Sequence, residues 1–256
     1  MRPIALDVLN RLKAGDRVFG SPAQGLKQTL KKMEDRLEKM EREKDALDYL
    51  DKSGDLRSEI AKLKAGIAGE ENLAEFMERM IKTDLDLQDL IVFASLSDPE
   101  QNSGGDEYIS DSDFIVIYGN HALIIDAKNI RTDPEMPIYI EDNVLISASG
   151  VEMLEIHPSV NVWKKIFKKY GVEIDSVHGC TVIVNDRGAL IWRNPAWYNS
   201  EAKPLHISEL VEFLHKWIED KENTSYLNTL AVIANMQIKE DTGGMDFSYA
   251  KRMFNM

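Results

Sequence analysis

Residues 113–128 read Asp113-Phe-Ile-Val-Ile-Tyr-Gly-Asn-His-Ala-Leu-Ile-Ile-Asp126-Ala-Lys128. Two apolar runs rich in isoleucine and valine flank Gly119-Asn120, a pattern typical of two β-strands joined by a tight turn. Both turn residues tolerate the positive φ angles that a two-residue hairpin turn requires. The sequence therefore predicts a β-hairpin near the middle of the chain.

The pairing across this turn fixes which side chains meet. If Tyr118 lies opposite His121, the numbers of paired residues sum to 239, and so do those of Asp113 and Asp126. The two aspartates should then be directly opposed, with Cβ atoms roughly 4.5–5.5 Å apart, and Lys128 should point to the same face. Because directly opposed like charges destabilise a sheet, this pattern suggests that a cation joins them. A register shift of one residue would put the aspartates on opposite faces and remove the site.

Two carboxylates and a lysine at one sheet edge suit metal-dependent phosphodiester cleavage. Clustered oxygen ligands hold Mg²⁺ while leaving coordination positions for water and phosphate. The ion lowers the pKa of a bound water, and a lysine can orient that water or stabilise the developing charge. The alternative is that Asp113 and Asp126 are solvated strand ends of an ordinary hairpin.

Further motifs surround the hairpin, and they follow one another in the order Gly66-Ile-Ala-Gly69-Glu70, Ser112-Asp113-Phe-Ile-Val-Ile, Ile125-Asp126-Ala-Lys128-Asn129 and His157-Pro158-Ser-Val-Asn161. In this order they resemble the NERD (nuclease-related) domain of the PD-(D/E)XK nuclease superfamily, over about residues 65–220. The chain departs from the family pattern in three places. Asn161 stands where the family more often has Gln, Ile130-Arg131 replaces the usual Trp or Gly after Lys-Asn, and Ser112 precedes Asp113 where the family commonly has Ile.

The resemblance implies a metal-dependent nuclease that hydrolyses DNA phosphodiester bonds with Mg²⁺ or Mn²⁺. It implies that Asp113 and Asp126 are metal ligands, that Glu70 is a helix acid assisting the metal or the water, and that Lys128 is the catalytic lysine. RNA is an alternative substrate, since the metal chemistry is shared. The alternative function is a weakly active or inactive nuclease-fold module that binds nucleic acid or protein and assembles through its N-terminal helices.

Candidate nucleic-acid contacts lie on both sides of this core. Asn129 ends the second hairpin strand and could contact phosphate, and Asn161 takes the position of the family Gln. A predicted helix carries Lys164, Lys165 and Lys168 within little more than one turn, where they could grip a DNA backbone. A lysine-rich helix face is, however, more often simply solvated.

The N-terminal quarter of the chain is charged and helical. Ser21-Pro22-Ala-Gln24 is typical of a helix start. Apolar residues at 3-4 spacing then continue to about Leu50, Asp51-Lys-Ser-Gly54 predicts a break, and a second helix runs on into the Gly66 motif. Two helices with a short break indicate an antiparallel helical hairpin, with a homodimeric coiled coil as the alternative.

These elements predict an α/β fold of restriction-endonuclease type, with a mixed four- to five-stranded sheet and flanking helices near 66–82 and 159–170. The expected organisation is an N-terminal helical region at 1–64, a nuclease-like domain at 65–220, and a C-terminal helix and tail at 221–256. Further strands are expected near 89–96, 138–149, 177–184 and 190–192, and a further helix at 208–218.

Composition narrows the class of protein. The net charge of the 256 residues is −13, which argues against a generic nucleic-acid binder. Residues 1–64 carry 15 basic and 12 acidic side chains, a net +3, while the rest carries 16 and 32, a net −16, and would attract cations.

No apolar run approaches the roughly 20 residues of a membrane span, and no secretory signal is visible. One cysteine, Cys180, excludes an internal disulfide, and the histidines lack zinc-site spacing with it. We expect a cytoplasmic protein.

Overall fold

The computed structural model describes residues 4–43, 48–96, 112–130, 136–141, 144–156, 160–185, 189–193 and 203–222. The helices are α1 (Ile4–Lys13), α2 (Gln24–Glu43), α3 (Asp48–Thr83), α4 (Val160–Lys169) and α5 (Leu210–Ile218). The strands are β1 (Val18–Phe19), β2 (Ile91–Leu96), β3 (Ser112–Tyr118), β4 (His121–Lys128), β5 (Ile138–Glu141), β6 (Val144–Ile146), β7 (Glu152–Glu155), β8 (Ser176–Ile183), β9 (Leu190–Trp192) and β10 (Lys203–His206). The C-terminal helix predicted within 221–256 lies outside these residues.

The main sheet has six strands in the order β1-β2-β3-β4-β8-β10. Strands β2, β3 and β4 are antiparallel neighbours, whereas β1 runs parallel to β2, and β4, β8 and β10 run parallel to one another. The predicted mixed α/β architecture is therefore confirmed, but the predicted count of four to five strands is wrong. The two outermost strands have two and four residues, too few to show an alternating pattern in the sequence.

Strand alternation divides the core between the two faces of this sheet. On one face, Ile115, Ile117 and Ile124 pack with Trp163 and other residues of α4. On the other face, the intervening residues of the same strands pack with α3 and α5, as Phe114 and Val116 do. The result is a three-layer helix–sheet–helix sandwich, because each strand buries both of its faces.

The β3–β4 hairpin has the predicted register. Phe114 pairs with Ile125 and Tyr118 with His121, so the numbers of paired residues sum to 239. The turn differs from the expectation in one respect. Gly119 has a φ of 54°, but Asn120 is not among the non-glycine residues with positive φ. The hairpin thus needs the left-handed conformation only at its first turn residue, where glycine adopts it without steric cost.

Helices α2 and α3 form the antiparallel hairpin that the sequence favoured. Three salt bridges join them, Lys27–Glu71, Glu34–Lys64 and Glu41–Arg57, and the numbers in each pair sum to 98, as an antiparallel register requires. Two predicted details are wrong. Helix α2 begins at Gln24 rather than at Pro22, and α3 runs unbroken through 51–54. The break fails because Ser53 and Leu56 are buried inside a continuous helix, and this packing outweighs the low helix propensity of Gly54.

The predicted N-terminal region, residues 1–64, contributes to the main sheet as well as to the hairpin. Val8 of α1 and Phe19 of β1 are buried in the same cluster as Trp163 of α4. Strand β1 pairs with β2 at the sheet edge, and the backbone N–H of Val92 donates to Arg17. The first twenty residues are therefore part of the sandwich.

A second, four-stranded sheet has the order β7-β6-β5-β9. Its first three strands lie in the connection between β4 and α4, and β9 follows β8. Ile138, Ile140 and Leu145 pack there against Ile183, the last residue of β8. This sheet therefore borders the carboxyl ends of β4 and β8, the end of the main sheet that carries Asp126.

Candidate metal centre

Asp113, Asp126 and Lys128 meet at one end of the β3–β4 hairpin, as the register predicted. By alternation all three belong to the face of the sheet that α4 covers. The backbone N–H of Ala127 donates to Asp113 Oδ2 at 2.7 Å, and Lys128 Nζ lies 2.6 Å from Asp126 Oδ1. Ala127 itself packs on the opposite face, against the α3 side of the core. Two carboxylates and one ammonium group thus lie together at the end of β4, where β3 begins.

Glu70 reaches this edge from the opposite face of the sheet, because α3 packs on the side away from α4. A close approach of α3 to the end of β4 brings it there. A Cβ added to Gly69 would lie 2.6 Å from the Cβ of Asn129, and the Asn129 side-chain amide donates to the Ala65 carbonyl at 2.6 Å. The Gly-x-x-Gly-Glu motif therefore acts as a packing motif, with Gly66 against Leu26 of α2.

The Glu70 carboxylate is held by the segment that leads into α2. The backbone N–H of Ala23 donates to Glu70 Oε2 at 2.7 Å, and this contact is buried. Ala23 has a φ of 58° and Ser95 a φ of 54°, the two non-glycine residues with positive φ in the described ranges. The Ser95 hydroxyl accepts a hydrogen bond from the Gln24 N–H at 3.2 Å. Hydrogen bonds at two strained backbone positions thus hold the start of α2 beside Glu70.

The charges of these four residues are coupled. Burial, and then the charges of Asp126 and Glu70, raise the pKa of Asp113 well above its usual value. Burial raises the pKa of Glu70 to about 7, although the Ala23 hydrogen bond and Lys128 oppose this. Burial also raises the pKa of Asp126. For Lys128, burial lowers the pKa, but attraction to Asp126, Asp113 and Glu70 outweighs burial and raises it. A single lysine therefore does not neutralise the three acids.

The donor set at the two aspartates fits a hard divalent cation. Carboxylate and hydroxyl oxygens are the ligands that Mg²⁺ and Mn²⁺ prefer. Asp126 Oδ2 and Thr181 Oγ1 are buried and have no hydrogen-bond partner. An oxygen that is buried without a partner costs stability unless it meets a proton or a cation. Asp113 and Asp126 would therefore hold the ion.

Glu70 does not converge with the aspartates as closely as the sequence predicted. Among the described residues, one group of three acidic or histidine side chains brings its ligand atoms within 4.8 Å of one another, and it is Asp84, Asp86 and His215. Glu70, Asp113 and Asp126 are not such a group. The Ala23 N–H holds one Glu70 oxygen, Oε2, on the α3 side. The other oxygen of the carboxylate is the one that could turn toward a cation.

The predicted nucleic-acid contacts are divided between a packed position and an exposed helix face. Asn129 is half-buried and bonds to the protein itself. Its amide donates to the Ala65 carbonyl, and its oxygen accepts from the Asn185 amide. Asn161, Lys164, Lys165 and Lys168 lie on the exposed outer face of α4. Because the N–H of Asp175, just before β8, donates to Asn120, α4 ends near the hairpin turn. Its first turn, with Asn161, is therefore the part nearest the aspartates.

Two other features lie away from this edge. His215 Nε2 lies 2.8 Å from Asp84 Oδ2 and links α5 to the end of α3, an arrangement that no sequence pattern signalled because 131 positions separate the residues. A cleft of about 540 Å³ lies between residues 11–22 and α3, with Glu71, Glu75 and Glu78 on its α3 wall. Neither feature includes Glu70, Asp113, Asp126 or Lys128.

Sequence reasoning missed Thr181. This residue pairs with Asp126 across the parallel β4–β8 register. The signal was present in principle, because a single polar residue interrupts the apolar run Cys180-Thr-Val-Ile-Val184. The sequence could not show that this strand is the neighbour of β4.

No helix in the described ranges combines the length and the apolarity needed to cross a bilayer. Comparison of the chain with protein-family models, with curated proteins and with solved structures finds no match.

Proposed function

We propose that this protein is a Mg²⁺- or Mn²⁺-dependent nuclease that hydrolyses DNA phosphodiester bonds. The observation that supports this best is the partly buried grouping of Asp113, Asp126 and Lys128 at one end of the β3–β4 hairpin, with a buried Asp126 oxygen that has no partner. Clusters of carboxyl groups with raised pKa values are more common at functional sites than elsewhere. The resemblance of the motif order to the NERD domain supports the same reaction.

Each residue has a distinct role in this proposal. Asp113 and Asp126 hold the cation, which when bound supplies charge neutralisation at the phosphate and a water of lowered pKa. Lys128 leaves Asp126 Oδ1 to contact the phosphate oxygen on which charge develops, or the attacking water. Glu70 supports this water or the ligands from the α3 side. The second sheet and the first turn of α4, with Asn161, border the approach to the aspartates.

Nucleic acid would reach the site against an unfavourable net charge. The chain carries −13 overall, so binding depends on local basic groups such as Lys164, Lys165 and Lys168 and on the cation itself. We propose DNA as the substrate, with RNA as an alternative that the same chemistry serves. The two α2–α3 helices are a second surface, through which the chain could form a homodimer.

The alternative is a nuclease-fold module of weak or no activity that binds nucleic acid or protein. One observation favours it. The ligand atoms of Glu70, Asp113 and Asp126 do not all lie within 4.8 Å of one another, so the third expected ligand is not in place beside the aspartates. In that case the exposed α2–α3 hairpin would be the working surface.

The test is cleavage of plasmid and single-stranded DNA by purified protein with Mg²⁺ and with Mn²⁺. We expect Asp126→Ala to reduce cleavage to background and Lys128→Ala to reduce it by roughly 10²–10³-fold, because each removes charge stabilisation at the phosphate. Asp175→Asn and Lys82→Ala are matched controls at exposed positions and should retain activity.

Calorimetric titration with Mn²⁺ separates the two functions. Binding that Asp113→Asn abolishes, together with cleavage, supports the nuclease. Folded wild-type protein that cleaves neither DNA nor RNA with either metal would contradict the nuclease and favour the binding module.

A further inference from the structure

Thr181 lies beside the candidate metal centre on the neighbouring strand. It pairs in register with Asp126 across the parallel strands β4 and β8, and alternation places it on the same face of the sheet. Adjacent strands are about 4.8 Å apart, so the two side chains are neighbours. Consistent with this, the Thr181 hydroxyl lies close enough to Asp126 to lower the pKa of that carboxyl against the larger effect of burial, although the two groups do not reach the geometry of a hydrogen bond.

The contact between these side chains is incomplete. Thr181 is fully buried, with 0% of its surface exposed, and its Oγ1 has no hydrogen-bond partner. Asp126 Oδ2 is likewise buried and has none. These two oxygens lie on neighbouring residues and could bond to each other, with the hydroxyl as the donor and the carboxylate as the acceptor.

Folding by itself does not explain a threonine at this position. A buried hydroxyl without a partner costs stability, and a valine of the same shape would avoid that cost. The neighbours Cys180, Val182 and Ile183 are all buried and apolar. A polar group retained at a cost to stability inside an apolar strand points to a role in the site beside it.

We propose that Thr181 is a positioning residue, whose hydroxyl donates to Asp126 Oδ2 when a cation occupies the site and so fixes the orientation of that carboxylate. Thr181 then holds Asp126 at Oδ2, and Oδ1 is available to the ion once Lys128 has left it. This inference rests on the metal centre of the proposed function. Groups that orient ligands in this way contribute roughly 10–100-fold to metal affinity.

The test compares Thr181→Val, which keeps the shape and removes the hydroxyl, with Thr181→Ser, which keeps the hydroxyl. Mn²⁺ affinity is measured by calorimetry, and the melting temperature is measured with the chelator EDTA. We expect Thr181→Val to bind Mn²⁺ roughly 10–100-fold more weakly and Thr181→Ser to bind like wild type. Without metal, Thr181→Val should melt at the same temperature as wild type or higher, because a partnerless hydroxyl has been removed.

Ser176→Ala is the matched control. Ser176 begins the same strand, and its hydroxyl bonds His121 at the opposite end of the hairpin, so its removal should leave Mn²⁺ affinity unchanged. Unchanged affinity in Thr181→Val overturns the assignment, and so does a lower metal-free melting temperature in that variant, since that would indicate a structural role. Wild-type protein that binds Mn²⁺ but cleaves no DNA contradicts the nuclease alone, and the Thr181→Val affinity then decides this inference separately. Wild-type protein that binds no Mn²⁺ overturns both.

Discussion

Glu70 ionises at a cost to the folded protein, because its carboxyl group is buried between α3 and the start of α2. Because its pKa is raised from 4.5 to about 7, Glu70 keeps its proton in the folded chain at pH values between these two, where the unfolded chain has already released it. Asp113 and Asp126 have pKa values raised for the same main reason. In the metal-free site, ionisation of these carboxyl groups therefore lowers the stability of the fold, and a bound cation would offset this cost.

This cost predicts a pH dependence of the metal-free stability. A carboxyl group with a raised folded-state pKa stabilises the fold fully below its unfolded pKa, near 4.5, and loses that contribution as pH rises through about 7. We therefore expect the free energy of unfolding in EDTA to fall between pH 4.5 and 7. Glu70→Gln should remove part of this fall, on the order of 1–3 kcal/mol, as urea unfolding at several pH values can measure.

Glu71→Gln is the control for that experiment. Glu71 is adjacent in the chain but its side chain is 45% exposed and paired with Lys27, so its loss should change stability by less than about 1 kcal/mol. A slope that is the same in wild type and in Glu70→Gln would show that Glu70 is not the buried acid responsible.

At the level of elements, the site depends on how closely α3 approaches the end of β4. Gly69 and Asn129 touch there, and the Asn129 amide on Ala65 holds the contact. The same helix contains Gly54, around which a Cβ would meet nothing within 4 Å. In the same helix, the packing therefore requires glycine at position 69 but leaves room for a larger residue at position 54.

These two glycines give opposite predictions. Gly69→Ala should destabilise the protein by about 1–3 kcal/mol, because the new methyl group overlaps backbone-attached Asn129 Cβ and must push α3 away. It should also weaken Mn²⁺ binding, since Glu70 moves with α3. Gly54→Ala should stabilise by about 0.5–1 kcal/mol through helix propensity.

Urea unfolding and Mn²⁺ titration of both variants check this pair. If Gly69→Ala is as stable as wild type and binds Mn²⁺ equally well, the tight α3–β4 approach does not position the site.

On the scale of the whole molecule, the first twenty residues pack into the core of the main sheet. The ring of Phe19 packs against that of Phe93 in a tilted arrangement, with centroids 5.6 Å apart, and both residues belong to the core cluster that contains Trp163. The start of α2 supplies the N–H that holds Glu70. The site therefore depends on residues from the first quarter of the chain.

A core substitution in this segment tests that dependence. Phe19 is 1% exposed, so Phe19→Ala should cost about 3–5 kcal/mol and lower the single unfolding transition of the whole domain. Leu85→Ala, at a residue that is 79% exposed, should change stability by less than about 0.5 kcal/mol. If Phe19→Ala splits the unfolding curve and leaves the main transition unchanged, residues 1–64 form an independent unit.

Much of the hairpin and the helical arm could be predicted because their information is local. Apolar alternation and a two-residue turn define the β3–β4 register, and the 3-4 spacing of apolar residues favours an α2–α3 hairpin over a homodimeric coiled coil without giving its register. The short strands β1 and β10 and the helix α1 could not be predicted, because elements of this size form through contacts with distant residues. The predicted break at 51–54 failed for a similar reason, since burial of Ser53 and Leu56 outweighs local propensity.

The sequence by itself determined that Asp113, Asp126 and Lys128 share one face, because a strand has a period of two and the turn sets the register. Only the tertiary structure decided what surrounds them. It placed Glu70 on the opposite face, where the Ala23 N–H donates to its carboxylate. It also brought Thr181 beside Asp126 from a strand 55 positions away. The reason is physical: pairing within a hairpin follows from adjacent residues, whereas the order of strands and the packing of helices follow from burial summed over the whole chain.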